Sequence, residues 1–374
     1  MNARPSVRAA CRLRQRGLSM IELLVALAIG AFLVFGATQV YVDSRGAYNV
    51  NETVARLQET ARYALSVIEP DVRMANYFGL VKGASIVSGQ TSQSQAANPN
   101  WAANTVCGNN FVVDLNRNLQ SDDNRYLTDW TGPATAVRVP TSCDSLAEPD
   151  GVTVWNTTPV TTADTLVVRR ASVVNSVSTA NWLQICSTRL AGQLATTGPA
   201  CAAASQQVNN LVVNAYYVDQ NSSQATGLPS LRRKTLIHPA GGTDRLADEE
   251  IIPGIEDMQI QFGIDNTGIS AIATRYVNPS QLQAALAAGG QVVAVRVWLL
   301  VRSDAPEVGF TDNRVYEYGD RLQANGTTGD LNAAAGAGKA YSPSASTDTG
   351  PTGRQHYRRL LVSSTIQIRN ALGT

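Results

Sequence analysis

Arg16-Gly17-Leu18-Ser19-Met20-Ile21-Glu22-Leu23-Leu24-Val25-Ala26-Leu27-Ala28-Ile29-Gly30 places one carboxylate inside an otherwise apolar run, directly after a basic leader that ends in glycine. From Leu18 to Val42 the run is long enough for a helix, rising about 1.5 Å per residue, to cross a hydrocarbon core of about 30 Å. Glu22 is its only charged residue. A charge at the centre of a bilayer costs about 3 kcal/mol even on lenient insertion scales, so a carboxylate there is read as functional, with a partner to be named. The expected partner is the amino group that cleavage after Gly17 would create on Leu18. Arg4, Arg8, Arg12, Arg14 and Arg16, with no acid before Gly17, orient the span with its N-terminus on the cytoplasmic side.

A glycine, an apolar residue, a glutamate as the fifth residue after the glycine and then an apolar helix resemble the class III signal of type IV prepilins and type II secretion pseudopilins. The resemblance implies cleavage between Gly17 and Leu18 by a prepilin peptidase and N-methylation of Leu18, where many members carry Phe. The best small-x-small site for an ordinary secretory signal, Ala28 and Gly30, would leave a short apolar region that contains Glu22. A plain single-span anchor fits the length but gives Glu22 no reason to exist.

The chain has 374 residues and a formal net charge of +1. Loss of the five leader arginines leaves 25 basic residues (30 less 5) against 29 acidic ones, or −4. That balance excludes a broadly basic nucleic-acid surface, and nucleic acid is not an expected partner. Of five cysteines, Cys11 lies in the leader, leaving Cys107, Cys143, Cys186 and Cys201. An even number on the translocated side reads as disulfides. Three connectivities exist; the local pairs Cys107 with Cys143 and Cys186 with Cys201 are favoured because each staples a polar, loop-like region. No Cys-x-x-Cys pair exists and neither His238 nor His356 lies near a cysteine in sequence, so zinc is disfavoured.

Past the membrane the helical signal continues. Ala47, Val50, Val54, Leu57, Ala61, Ala64, Ile68 and Val72 form one stripe at steps of three and four. Glu52 with Arg56, Glu59 with Arg62 and Glu69 with Arg73 fall at helical spacing on other faces. The distal half of the stripe is expected to pack on the protein's own domain and the membrane half on other subunits. Pro70 is expected to kink or end the helix near Glu69, and Gly30, Gly36 and Gly46 mark weak points within it. Strand-like runs follow at Thr165 to Arg170, Leu211 to Asp219, Leu231 to Ile237, Ile255 to Ile264, Val292 to Arg302 and Arg358 to Arg369. Alternation of Val295, Val297, Leu299 and Val301 with Arg296, Trp298, Leu300 and Arg302 describes a sheet with one face on a core.

The expected organisation is a leader at 1–17, a transmembrane half-helix at 18–42, an amphipathic periplasmic half-helix at 43–78 and a β-rich domain at 79–374 with insertions near 85–104 and 325–353. The fold class is α+β: a long membrane-spanning helix, then an antiparallel β-rich periplasmic domain. Tyr48 to Leu65 and Asp71 to Gly79 resemble the helix end of PilW-type minor pilins. So do Ile252-Pro253-Gly254-Ile255-Glu256-Asp257-Met258-Gln259, Val295 to Arg302 and Tyr357 to Asn370. The region 82–247 carries little of this resemblance. It implies a structural subunit that helps prime a type IV pilus at its tip, with other minor pilins, the major pilin, the prepilin peptidase and the inner-membrane assembly platform as partners. A J-like pseudopilin of a type II secretion system and a signal-anchored periplasmic enzyme or binding protein stand as alternatives.

Signs of catalysis fail on inspection. Asp114-Leu115-Asn116-Arg117-Asn118 begins like a calcium loop, but Leu119 holds the glycine position and Arg125 the bidentate-carboxylate position. Gly336-Ala337-Gly338-Lys339-Ala340 lacks the hydroxyl residue of a phosphate loop. Two separated histidines and no Gly-x-Ser-x-Gly elbow leave hydrolysis without its usual parts. Asp248-Glu249-Glu250 reads as a solvated turn, and Arg169-Arg170, Arg232-Arg233 and Arg358-Arg359 as exposed strand faces. No cofactor and no metal are expected.

Overall fold

Residues 20–69 contain no proline, and α1 runs Met20–Arg73 in the computed structural model, which describes residues 17, 19–96, 106–124, 126, 142–195, 201, 206–268, 270–321, 328–329, 340–345 and 353–371. Residues 1–16 of the leader, Leu18 and most of the stretch 325–353, including Gly336 to Lys339, lie outside the described residues. The chain divides into two compact units, 1–53 and 54–374, with the division inside α1. α1 continues one turn past Pro70 to Arg73, so of the expected kink or end near Glu69 the end does not occur there. A proline costs about 3 kcal/mol inside a helix; here the turn beyond it is held by tertiary contacts of Asp71 and Val72, both buried. Asn76, in the left-handed region at φ 63, ends the segment.

Short pieces come first in the β-rich part: β1 (Val87–Ser88), β2 (Leu119–Gln120), β3 (Ser145–Ala147) and β4 (Val154–Asn156). Next are β5 (Leu166–Asn175), β6 (Gln184–Ser187), β7 (Gly192–Ala195), β8 (Gln207–Asp219), β9 (Ser230–Ile237) and β10 (Arg245–Pro253). Then follow β11 (Ile255–Asp265), β12 (Arg275–Val277), α2 (Pro279–Ala287), β13 (Gln291–Arg302), β14 (Thr328–Gly329), β15 (Ala340–Tyr341) and β16 (Arg359–Gln367). The six strands expected from sequence are β5, β8, β9, β11, β13 and β16. Part of the expected 85–104 insertion is ordered as β1 and its flanking turn.

In the first sheet, β8 is the long central strand. β5 and then β2 lie along one edge of it, while its other edge pairs with β6 at one end and β9 at the other. The second sheet is β12-β11-β13-β16, antiparallel throughout. Gly254 alone joins the two, at φ 90, and a Cβ there would sit 3.1 Å from the Arg302 carbonyl oxygen. Only glycine meets both conditions without strain.

Leu57, Ala61, Ala64, Ile68 and Val72 of α1 form one core with Leu166, Val168, Tyr216 and Val218 of the first sheet and Ile260, Val295, Val297 and Leu299 of the second. The distal stripe therefore packs on the protein's own domain. The other face of β13 is not left open: Leu300 is buried beneath Tyr316, Tyr318 and Tyr341. A further core lies around Phe78, Phe111, Val113, Ile185 and Leu211.

Adjacent strand residues face opposite ways, and this overturns the reading of the arginine pairs as exposed. Arg169, Arg232 and Arg359 are buried, while Arg170, Arg233 and Arg358 are part-buried in ion pairs with Asp71, Glu249 and Glu307. Asp248-Glu249-Glu250 is not a solvated turn either. It lies within β10 and pairs residue for residue with Lys234, Arg233 and Arg232 of β9. Buried Asp248 meets Arg232 at 2.8 Å, Lys234 at 2.6 Å and the Tyr217 hydroxyl at 2.6 Å, and Arg232 stacks 3.8 Å from the Trp155 ring.

Asp71 fixes α1 to the first sheet. One carboxylate oxygen accepts Arg170 Nη2 at 2.6 Å and Nε at 3.0 Å, and the other accepts Asn214 Nδ2 and the Tyr216 hydroxyl. The Arg73 carbonyl accepts the Arg369 N–H at 3.0 Å, and Asn76 Nδ2 donates to the Asn370 carbonyl at 3.0 Å, so the C-terminal segment is bound to the same end. Removing one member of a buried pair leaves the other uncompensated at a cost of about 3–5 kcal/mol. Asp71→Ala should lower the unfolding free energy of the detergent-solubilised full chain by roughly that amount, whereas Glu69→Ala, which breaks the half-exposed Glu69–Arg73 pair, should change it by under about 1 kcal/mol.

Asp320 lies beside Asp123 and accepts Asn124 Nδ2; burial first, and the Asp123 charge second, push its pKa up to about 6. An acid whose folded pKa lies above its unfolded value binds protons more tightly when folded, so stability falls as pH rises from about 3.8 to about 6. Asp320→Asn should remove this decline. Its melting point relative to the parent should rise between pH 4 and pH 6 and level off above; a constant difference across that range excludes the assignment.

Candidate functional site: the first turns of the long helix

Ser19 opens α1: its Oγ accepts the Ile21 N–H at 3.3 Å and its carbonyl accepts the Leu23 N–H at 3.1 Å. Glu22 therefore stands in the first turn, where the helix dipole favours a negative charge. The window of α1 that is apolar enough to cross a membrane contains no buried residue. Met20, Ile21, Leu24, Leu27, Phe32, Leu33, Val34 and Phe35 are all exposed. Side chains of this kind, unburied in water, would each forfeit about 1.5–3 kcal/mol, so the segment belongs in lipid or against other apolar helices. Gly30, Gly36 and Gly46 have nothing within 4 Å of a would-be Cβ; they offer room for another chain to approach the backbone. Thr38 Oγ1 donates to the Val34 carbonyl at 2.7 Å, which satisfies the hydroxyl within the helix.

Among the sites expected from sequence, Gly17 lies exposed ahead of the helix and Glu22 is exposed in its first turn, while Leu18 is outside the described residues. The cysteines pair locally as favoured: Cys107 with Cys143, Cα atoms 4.7 Å apart, and Cys186 with Cys201, 5.3 Å apart. The first ties the loop before β2 to the turn before β3, and the second ties β6 to the segment that leads into β8. By loop entropy the two closures contribute about 3–4 kcal/mol each.

Residues with the chemistry of a reaction centre are otherwise occupied. His238 Nδ1 lies 2.8 Å from Asp244 Oδ1 and Nε2 lies 2.9 Å from the Leu211 carbonyl oxygen, so both ring nitrogens are engaged. Asp114 accepts the Gln93 N–H at 2.9 Å and pairs with Arg117 at 3.7 Å, so its carboxylate is engaged within the chain. Asp164 accepts the N–H groups of Asn124 and Ile260, both at 2.7 Å, and burial raises its pKa well above the ordinary carboxylate value. Glu256 is held by Arg359, and Asp257 by Arg321 and the Tyr318 hydroxyl. Among the described residues no three His, Cys, Asp or Glu side chains converge on a metal-sized site. The sequence reading did not anticipate Asp71 as the anchor of the helix; the usable signal was a single acid on the apolar stripe's side of the last turn, matched by one arginine of an adjacent pair.

Residues 12–38 match the model of the prokaryotic N-terminal methylation motif, and residues 215–370 match the model described as Type IV Pilus-assembly protein W. The second match begins within β8 and runs through β16, so it takes in the whole second sheet. No curated protein and no solved structure matches the chain. These matches point to a structural pilin rather than an enzyme, anchored in a membrane by its N-terminal helix and interacting with other pilus components. The two matches support a type IV pilus-related pilin of the PilW type.

Proposed function

We propose that this pilin is a minor subunit that helps prime pilus assembly and sits at or near the pilus tip, in support of twitching motility or adhesion. The carrying observation is the apolar window of α1, which has no buried residue, with the single carboxylate Glu22 in the first turn of the helix. In this reading prepilin peptidase cuts between Gly17 and Leu18, Leu18 is N-methylated, and the helix holds the subunit in the inner membrane with its β-rich part in the periplasm. The assembly platform then draws the helix out of lipid and against the helices of other minor pilins and the major pilin. Glu22 neutralises the Leu18 amino group of its own chain or of a neighbour as the helices pack. A stagger that left either charge alone in the filament core would cost about 3–5 kcal/mol, so the pair acts as a check on register. A bulky β-rich domain, residues 54–374, is easier to accommodate at a filament end than in every repeat of a shaft, which supports the tip position.

Mass spectrometry of the mature protein should find a chain that begins at Leu18 and carries one added methyl group; an intact Met1 removes the processing step. Glu22→Ala should leave the subunit in the membrane but cut its incorporation into pili by about a hundredfold, the equivalent of about 3 kcal/mol. Normal piliation in that variant rules out the role given to Glu22, and a secretion defect with intact pili would transfer the subunit to a secretion system.

A further inference from the structure

Among the described residues β16 is an edge strand with no neighbour along its outer edge. It pairs with β13 over Arg359 to Gln367 with no break in register. The bonds that flank this ladder settle its parity: Ser303 N–H donates to the Arg358 carbonyl, and Ile368 N–H donates to the Val293 carbonyl. Even-numbered residues of the strand therefore bond inward to β13, and Leu361, Ser363, Thr365 and Gln367 turn their N–H and C=O groups outward. Among the described residues nothing bonds those groups. The row is about 20 Å long at about 3.4 Å per residue, enough for a full strand.

Natural edges are ordinarily blunted by lysine, proline, a bulge or a cover. Leu360 to Gln367 has no charged residue and no proline, and its register is unbroken. The other edges differ: β1 and β2 are two residues long, β12 is three, and β10 is flanked by the β3 loop, where Arg245 donates to the Glu148 and Pro149 carbonyls. Charge narrows what fits beside β16. No acid occurs from Arg359 to Thr374. At the far end of the edge Arg296, which donates to Thr365 Oγ1 at 3.2 Å and stacks on Tyr276 at 3.8 Å, and exposed Arg369 have no carboxylate partner among the described residues.

We propose that the outer edge of β16 receives an extended strand from another pilus subunit, one with an uncharged middle and an acidic residue that meets Arg296 and Arg369. Main-chain hydrogen bonds at Leu361, Ser363, Thr365 and Gln367 supply the affinity, and the acid fixes the direction of the strand. The inference rests on the pilus reading above and names the contact through which this subunit joins its neighbour.

Two variants and a crosslinker test it in cells that make pili from the full-length protein. A photo-crosslinking amino acid placed in turn at positions 363, 365 and 367 should give products with one other pilus subunit, at residues two apart along a single extended segment. Ser363→Pro removes an outward N–H while sparing the inward ladder. It should reduce those products and the surface pili by at least about tenfold, with the melting point of the purified full chain moving by less than about 4 °C. Val362→Pro, which breaks an inward bond, should lower the melting point by more. Crosslinks that return to this chain, that land on a second copy of it or that scatter over a helix overturn the proposal, as does Ser363→Pro with products and pili unchanged. If pili are lost in Glu22→Ala but kept in Ser363→Pro, strand addition alone is wrong; if cells lacking the whole protein make normal pili, the assembly reading is wrong.

Discussion

The carboxylate of Asp71 decides where the long helix sits. It takes bonds from Arg170, Asn214 and Tyr216, which come from two neighbouring strands, so it sets both the rotation of α1 and its height against the first sheet. Once that is set, the stripe from Leu57 to Val72 falls on the apolar faces of both sheets together. A helix with Ala61 and Ala64 at its contact points gains little from side-chain bulk, so a rotation would expose apolar area cheaply. A charge that can be satisfied in one orientation removes that freedom, the use for which buried polar groups are best attested.

The same device recurs where the chain can slip. β9 and β10 are adjacent antiparallel strands, and a slip by one residue would set Asp248 against Arg233 or Thr235 and leave a charge buried alone. A second set of pairs, Glu256 with Arg359 and Asp257 with Arg321, holds consecutive acids of β11 at a bulge, where the register shifts between Ile255 and Asp257. Beyond the bulge the period of two holds, and Met258, Ile260, Phe262 and Ile264 all face one core.

That period also explains which parts of the molecule could be read in advance. The apolar span, Glu22, the helical stripe and the long alternating strands follow from local pattern, and the local cysteine pairs follow from loop composition. β6 and β7 were not anticipated because Gln-Ile-Cys-Ser and Gly-Gln-Leu-Ala are short and poor in β-branched residues. The arginine pairs and the acidic triplet were placed outside because charge ordinarily means solvent, yet two adjacent strand residues cannot share one face. The complementary triplets Arg232-Arg233-Lys234 and Asp248-Glu249-Glu250 held the hairpin register in plain view. Helix continuation through Pro70 was unreadable, since it depends on partners 99 and 145 residues away.

The compact unit that contains both sheets begins at Val54, inside the helix, and not where the strands begin. Residues 54–73 are thus the central layer of the β-rich part and not a stalk beneath it. A soluble fragment cut at the apparent start of the strands, near residue 79, would open an apolar trench between the sheets and orphan Arg170. One that starts at about residue 54 would carry its own core with it, and would shed the membrane without shedding the fold.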